Sequence, residues 1–304
     1  MNKINLQYID VLLKIEFEKP LLFFTYPTIV FRSILGCRLR RLCCIAPRNK
    51  CFDCQFNKTC AYATIFETII SKDTDFLAGR NRGSHPFRLK INPSIDYTQE
   101  IRQLDLTVQL YGFAIQYLPY IVFALQQAGK DGLFKTKSIY NIKDVVVNGV
   151  SSLKEDGNLN TDFVANTWTC DLTHLSKTKI KKHIHLVSPL RFKVQGKYST
   201  DFSAQDFLYC IERRLITLCS LYGIYDIDYE YNPSENITIK NRFLKWLDYD
   251  YNSHRQDEKI QLGGAIGDFM LTGEFNAYDY NLLKFANIFG AGKNTSFGYG
   301  DIVI

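Results

Sequence analysis

The apolar periodicity of this chain passes through one order of elements twice, and that repetition limits the fold more than any single motif does. In the first half a strand-like run over residues 6–24 precedes a helical segment over about 27–43. Pro27 suits a helix start, where its missing N–H would have no partner in any case. A cysteine-rich loop and a short helical piece (62–70) lead to strand-like runs 87–91 and 104–113. A helix near 117–128, ended by Gly129, and a strand-like run 139–147 complete the set.

The second half repeats the order. Ile184, Leu186, Leu190, Phe192 and Val194 share one parity, and His183, His185, Arg191 and Lys193 the other. Such alternation describes a strand with one buried and one polar face, with Pro189 at an edge or a bulge. Phe207, Ile211, Leu215, Leu218 and Tyr222 recur at helical spacing. Strand candidates 225–231, 237–239 and 261–274 follow, then a helix over 280–289 and a closing strand over 297–304. Each half approximates β-α-β-β-α-β. The expected fold is therefore α+β: two tandem ferredoxin-like (RRM-like) domains with antiparallel sheets and a zinc-knuckle-like insertion. Residues 1–147 form the first domain and 183–304 the second. Residues 148–182, rich in Asn, Ser, Asp, Thr and Lys, read as a linker or irregular crossover. In this unit the helices cover one sheet face, so His183, His185, Arg191 and Lys193 are expected on the open face.

Length and composition agree with two globular domains: 304 residues, 46% hydrophobic and 22% charged. The longest apolar stretch, 118–125, falls far short of the roughly 18 residues needed to cross a bilayer. Asp10, Lys14, Glu16, Glu18 and Lys19 break up the N-terminal apolar run, which is no signal-peptide core. A soluble, cytoplasmic protein without a membrane partner is expected. A net charge of +6 and 14% aromatic residues are compatible with a nucleic-acid partner, through phosphate contacts and base stacking.

Of nine cysteines, Cys37, Cys43, Cys44, Cys51, Cys54 and Cys60 cluster, while Cys210 and Cys219 lie in a periodic helix as small core residues. The run Cys44-x6-Cys51-x2-Cys54-x5-Cys60, with Cys43 an alternative to Cys44, has zinc-knuckle spacing. Four thiolates would close the coordination shell, so the expected cofactor is a structural zinc and not a catalytic metal; an iron–sulfur cluster or metal-free thiols are the alternatives.

The glycine-rich stretch 290–300 is not a Walker A phosphate loop. With Lys293 as its lysine, Asn287 stands where the first glycine belongs and Asn294 where the hydroxyl belongs. Such a loop can still offer backbone N–H groups to phosphates, or be a tight turn with glycines at positive φ. Five histidines occur: His85, His174, His183, His185 and His254. His85 lies in a basic loop with Arg80, Arg82 and Arg88, and none of the five sits in a triad or zinc-protease motif.

Taken in order, these motifs resemble a known family. Phe31-Arg-Ser-x2-Gly36-x2-Leu-Arg-Arg-Leu42, the cysteine loop and Cys60-Ala-Tyr-Ala-x2-Phe-Glu67 resemble the amino-terminal half of the CRISPR-RNA-processing endoribonucleases of the repeat-associated mysterious protein (RAMP) superfamily. Ser188-Pro-Leu-Arg-Phe-Lys193, Glu212-Arg-Arg-x3-Leu218, His254-Arg-Gln256, Gly263-Gly-x2-Gly267 and Gly292-Lys-x2-Ser-Phe-Gly-Tyr-Gly300 resemble its carboxy-terminal half. The resemblance implies binding of CRISPR repeat RNA and its cleavage to mature crRNA without a catalytic metal. The RNA 2′-hydroxyl attacks the adjacent phosphate and leaves a 2′,3′-cyclic phosphate. CRISPR effector or adaptation-complex proteins are further implied partners. The family's base is often a histidine of variable position, and here none occurs before His85. The candidates for base or acid are His254, then His85 or His185, with Tyr26 the titratable aromatic just ahead of the first helix. Lys293, Arg191 and Lys193 are the charge stabilisers. Arg255, Arg40, Gly290, Gly292, Ser296, Gly298 and Gly300 complete the implied RNA contacts. The alternative is a non-catalytic crRNA-binding subunit of a CRISPR effector complex with the same fold.

Overall fold

The computed structural model describes residues 3–70, 77, 81–154, 156–170, 177–227, 231–253 and 258–304. The chain divides into two compact units, one of residues 7–167 and one of 1–6 with 168–304.

In the first unit, β1 (Lys3–Leu21), α1 (Pro27–Cys43), β2 (Phe87–Ile91), β3 (Ile101–Tyr111), α2 (Leu118–Asp131) and β4 (Tyr140–Val147) follow one another as the periodicity predicts. The antiparallel strand order is β2-β3-β1-β4, extended at its edge by the two-residue β5 (Val150–Ser151). That order is what β-α-β-β-α-β connectivity produces when the first strand ends up central. Ile9, Val11, Leu13, Ile15 and Phe17 of β1 are buried at every second position, and Lys14 and Glu16 lie between them. Phe31, Leu35 and Leu39 bury one stripe of α1, and Ile121, Leu125 and Ala128 one stripe of α2. Tyr140 joins these surfaces. Its ring meets Phe17 at 6.0 Å and Phe31 at 5.7 Å, and its hydroxyl donates to the Leu125 carbonyl at 2.7 Å.

The second unit has β7 (Thr178–Leu190), α3 (Ala204–Tyr222), β11 (Thr238–Ser253), β12 (Glu258–Phe275), α4 (Ala277–Phe289) and β13 (Ile302–Val303), in sheet order β11-β12-β7-β13. This is the ferredoxin-like order again, so the fold is α+β with two tandem ferredoxin-like domains. A small hairpin, β8 (Lys193–Val194) with β9 (Lys197–Tyr198), is inserted before α3. Lys3–Asn5 of β1 pair with β10 (Ile224–Asp226). Capping boxes start both helices, Ser203 with Asp206 and Asn276 with Asp279, each satisfying backbone N–H groups that would otherwise lack partners. Phe207 and Phe269 meet edge to face at 5.1 Å beneath the sheet.

Four details differ from the sequence reading. α2 does not end at Gly129 but runs to Asp131, and Gly132, with φ 79°, follows it. Gly129 is needed where it is: a Cβ there would stand 2.3 Å from the Tyr140 carbonyl oxygen. Residues 148–182 are not purely linker, since they contain β5, β6 (Asn166–Thr169) and the first residues of β7. A strand candidate of three residues at 237–239 is the start of the 16-residue β11, while the closing strand shrinks to Ile302–Val303. Finally, β7 ends at Leu190, and a register shift against β12 falls between its Leu186 and Leu190 pairs, around Pro189. The bulge takes Arg191 and Lys193 out of the histidine row.

Replacing Gly129 with alanine is expected to destabilise the fold by about 1–3 kcal/mol through overpacking against Tyr140. Urea denaturation of the variant beside the wild type measures this.

Candidate functional site

The open face of the second sheet is set by strand parity. Ile184 and Leu186 are fully buried, so Lys181, His183 and His185 point the other way and are exposed. Opposite them on β12 stand Thr272, Met270 and Asp268, and across on β11 Lys240 faces Met270 and Phe243 faces Asp268. Directly opposed residues place their side chains together. His185 Nδ1 lies 2.8 Å from Asp268 Oδ1, and His183 Nε2 lies 3.3 Å from the same oxygen. The side chains remain open, His183 62% and His185 49% exposed. Phe243 beside them is 74% exposed. Lys181 and Lys240 are exposed cations on this face. An imidazole held at Nδ1 by a carboxylate, among lysines and an open aromatic ring, can transfer a proton beside a phosphate.

A second group gathers where β7 ends. The Arg191 guanidinium stacks 3.7 Å from the Tyr198 ring centroid and donates to the Gly263 carbonyl. The Lys193 ammonium stands 5.4 Å from the same ring, and Trp246 packs 6.4 Å away. The Lys293 backbone N–H donates to the Arg191 carbonyl at 2.7 Å, which brings the exposed Lys293 side chain to this corner. Three cations and two aromatic rings in one place suit a nucleic-acid backbone with its bases. Gly263 makes the arrangement possible, because a Cβ there would lie 2.3 Å from the Trp246 indole nitrogen.

Family comparison agrees in both halves. The family described as AF_1859_N, N-terminal domain, matches residues 6–162, and that described as CRISPR-associated endoribonuclease Cas6 matches residues 184–302. By these matches the second half of the chain belongs to the CRISPR-associated Cas6 endoribonuclease family and the first half to the AF_1859_N family. A Cas6 product complex superposes with a TM-score of 0.54 at 16% identity, over 98% of both chains. Thermus thermophilus Cas6 does so at 0.50 and 15%, over 100% of this chain and 99% of that one. A partial Cas6-RT-Cas1–Cas2 complex matches at 0.55 and 13%, over 98% of this chain and 46% of that one. An uncharacterized protein of Archaeoglobus fulgidus is 25% identical over 280 residues, 89% of this chain and 88% of its own length. The Cas6 match over residues 184–302 makes this chain an enzyme of CRISPR RNA processing, an endoribonuclease.

Against that Cas6 background the remaining candidates fall in different surroundings. His254 and Arg255 lie outside the described residues. His85 is a half-buried residue of the first unit, stacked on Phe87 at 5.5 Å and 5.9 Å from Phe66. Arg32 lies 2.8 Å from its Nε2. A guanidinium can only donate, so Nε2 accepts and the proton sits on Nδ1. Burial, then Arg32 and Arg82, lower the His85 pKa to about 3. Such an imidazole stays neutral and weakly basic, which suits a packing role and not that of a general base at neutral pH. Tyr26, at the start of α1, is 5% exposed with its ring 5.4 Å from Tyr97. Arg40 is exposed near the end of α1, over the Tyr62 ring at 5.8 Å.

The glycine-rich loop is turned inward. Gly290 N–H donates to Ala286, Gly298 N–H to Thr295 and Gly300 N–H to Pro189. Ser296, Gly298 and Gly300 are buried, and a Cβ on Gly300 would lie 1.8 Å from the Ala291 oxygen. Gly292 likewise lies against the Arg191 oxygen, 2.6 Å from where its Cβ would be. The N–H groups of Gly290, Gly298 and Gly300 are thus bonded within the chain, and these glycines shape the loop. Sequence reading missed Asp268, Tyr198 and Trp246. The pairing of β12 with β7 and β11 brings in Asp268 and Trp246, and the β8–β9 hairpin brings in Tyr198.

In the cysteine loop, Cys43, Cys44, Cys51, Cys54 and Cys60 all line one cavity of about 180 Å³. Burial pushes the Cys43 and Cys51 thiols up, with Cys60 adding to the first and Glu67 to the second. Among the described residues no three His, Cys, Asp or Glu side chains stand as a ready ligand set. The donor chemistry fits a thiophilic ion; the spacing would have to contract around it.

Because the folded His85 pKa is depressed, its contribution to stability is present above the unfolded value near 6.5 and is lost as pH falls towards 3. Glu212, raised by burial to about 7, acts with the opposite sign, its contribution lost as pH rises through 7. The difference between wild type and His85→Gln isolates the histidine. The wild type is expected to lose on the order of 1 kcal/mol per pH unit relative to the variant below pH 6.5, read by urea denaturation across pH 4–7.

Proposed function

We propose that this endoribonuclease cuts CRISPR repeat RNA by attack of the 2′-hydroxyl on the adjacent phosphate, without a catalytic metal, leaving a 2′,3′-cyclic phosphate and a 5′-hydroxyl. The observation that supports this reading is the His185–Asp268 pair on the open face of the Cas6-matched unit. The reaction needs a base for the 2′-hydroxyl, an acid for the leaving 5′ oxygen and cations for the phosphorane. Asp268 orients His185 through Nδ1 and leaves Nε2 for proton transfer. His183, at the same carboxylate, offers a second imidazole for the leaving oxygen. Lys181 and Lys240 supply positive charge on this face, and Phe243 a ring for a base. Arg191, Lys193 and Lys293 hold the RNA further along, with Tyr198 and Trp246 as stacking partners. Proteins of a CRISPR adaptation complex are proposed as partners, on the strength of the Cas6-RT-Cas1–Cas2 assembly.

The test is cleavage of end-labelled cognate repeat RNA in excess EDTA, beside a substrate with 2′-deoxy at the cut site. The first should be cut to a cyclic-phosphate end and the second left intact. His185→Ala should lower the rate about 10²–10⁴-fold with RNA affinity nearly unchanged, as expected of a general acid–base residue. A silent His185→Ala beside an inactive His254→Ala moves the base to residue 254. Tight binding with no cleavage of either substrate identifies a crRNA-binding subunit instead.

Phosphate contacts make a separate forecast. Log affinity should fall linearly with log salt, and Lys193→Ala should flatten the slope by about 0.7 if that lysine neutralises one phosphate of a single strand. Fluorescence anisotropy at several salt concentrations reads the slope.

A further inference from the structure

The loop between α1 and residue 61 inverts the usual order of a fold. None of residues 44–60 is buried, although the segment is compact. Its turns are closed by backbone hydrogen bonds, Asp53 to Lys50, Cys54 to Cys51, Asn57 to Cys54 and Cys60 to Phe56. Its large apolar side chains stay largely in solvent, with Ile45 76%, Phe52 45% and Phe56 38% exposed. Its inner cavity is lined by Cys43, Cys44, Cys51, Cys54 and Cys60, with partly exposed apolar neighbours such as Ile45 and Phe56. Hydrophobic burial therefore does not hold these residues together, and a segment without a core needs a staple of another kind.

We propose that Cys44, Cys51, Cys54 and Cys60 bind one Zn²⁺ as a closed tetrathiolate site, and that this ion holds the loop against the end of α1. The four thiols come from the two ends and the middle of the segment, so one ion closes every turn at once. With Zn–S distances of roughly 2.3 Å, coordination draws the cavity wall inward and fills it. Cys44 is preferred to Cys43 because of charge. A tetrathiolate zinc carries two net negative charges, and the Arg40 side chain bonds Cys44 and lies close to Cys51. Cys43 is the last residue of α1, and its carbonyl already meets the Cys60 thiol at 3.9 Å. Closing the loop also fixes residues 61–67, whose Phe66 ring packs on Gly36 of α1, 3.0 Å from where a Cβ would stand. The ion would thus be structural: the shell is complete and leaves no position for a substrate. It would present the exposed Arg40, Arg41, Arg48, Lys50 and Lys58 on a rigid knob.

The experiment uses the full chain purified without chelator. Elemental analysis should find one zinc per chain and no iron. Replacement by Co²⁺ should give intense thiolate-to-cobalt charge-transfer bands with the d–d pattern of a tetrahedral site. Stripping with a chelator should lower the Tm, and adding zinc back should restore it. Cys51→Ser and Cys54→Ser should lose the metal, while Cys43→Ser and Cys37→Ser should keep it. Folded wild-type protein that holds no zinc, takes up none on titration and gives no cobalt–thiolate bands overturns the proposal. Stoichiometric iron with visible absorption overturns the zinc assignment in favour of a cluster. Retention of zinc by Cys44→Ser with loss in Cys43→Ser overturns the chosen ligand set. The wild-type readouts do not depend on any variant folding.

Discussion

The parity of β7 is the constraint on which the proposed chemistry depends. Ile184 and Leu186 are fully buried, and that burial fixes which residues look outward. Each such side chain contributes on the order of 1.5–3 kcal/mol when withdrawn from water, so the register is strongly held. A slip of one residue would bury two histidines and expose two aliphatic side chains. The pairing of His185 with Asp268 follows from that register and not from any local sequence signal. The dyad is thus a product of packing 83 residues apart in the chain.

The same strand then departs from its own rule. Pro189 has no N–H to donate, and the register shift around it lets the chain leave the sheet after Leu190. Arg191 turns to the Gly263 carbonyl and the Tyr198 ring, while Gly300 returns its N–H to the Pro189 carbonyl. One bulge therefore separates two sets of polar residues that strict alternation would have put on one face. The histidines stay on the open face with an acid, and the arginine and lysine join aromatic rings at the strand end. Acid–base chemistry and phosphate binding ask for these different surroundings, since a histidine among guanidinium groups would lose basicity.

Sequence periodicity carried the repeated order of elements well, because each core-facing helix and strand shows its own apolar period. The α1 boundaries at Pro27 and Cys43 and β2 at 87–91 agree with the structure, and the parity of Ile184, Leu186, His183 and His185 does too. β11 was hidden because its sequence mixes Lys240, Arg242, Lys245, Asp248 and Asp250 with aromatic residues. It is an edge strand, and few of its side chains meet a core. Gly129 looked like a helix stop because glycine usually is one; only the Tyr140 carbonyl shows that it is a close approach inside α2. Asp268, Tyr198 and Trp246 carry no local motif and become visible only through cross-strand neighbours. The glycine-rich loop was ambiguous in another way. Its composition is equally suited to a phosphate cradle and to a tight packed turn, and the choice depends on where each N–H points.

The histidines show why residue type alone could not name the base. His85 and His185 are both near basic residues in sequence or space. His85 is packed between two phenylalanines and faces guanidinium groups, which disfavour a second proton and lower its pKa to about 3. His185 instead lies 2.8 Å from the Asp268 carboxylate and is 49% exposed. The distinction rests on the sign of the neighbouring charge and the access of solvent, and both are properties of the fold. An imidazole able to serve as base must therefore be sought where the sheet is open, and in the described part of this chain that face carries His183 and His185.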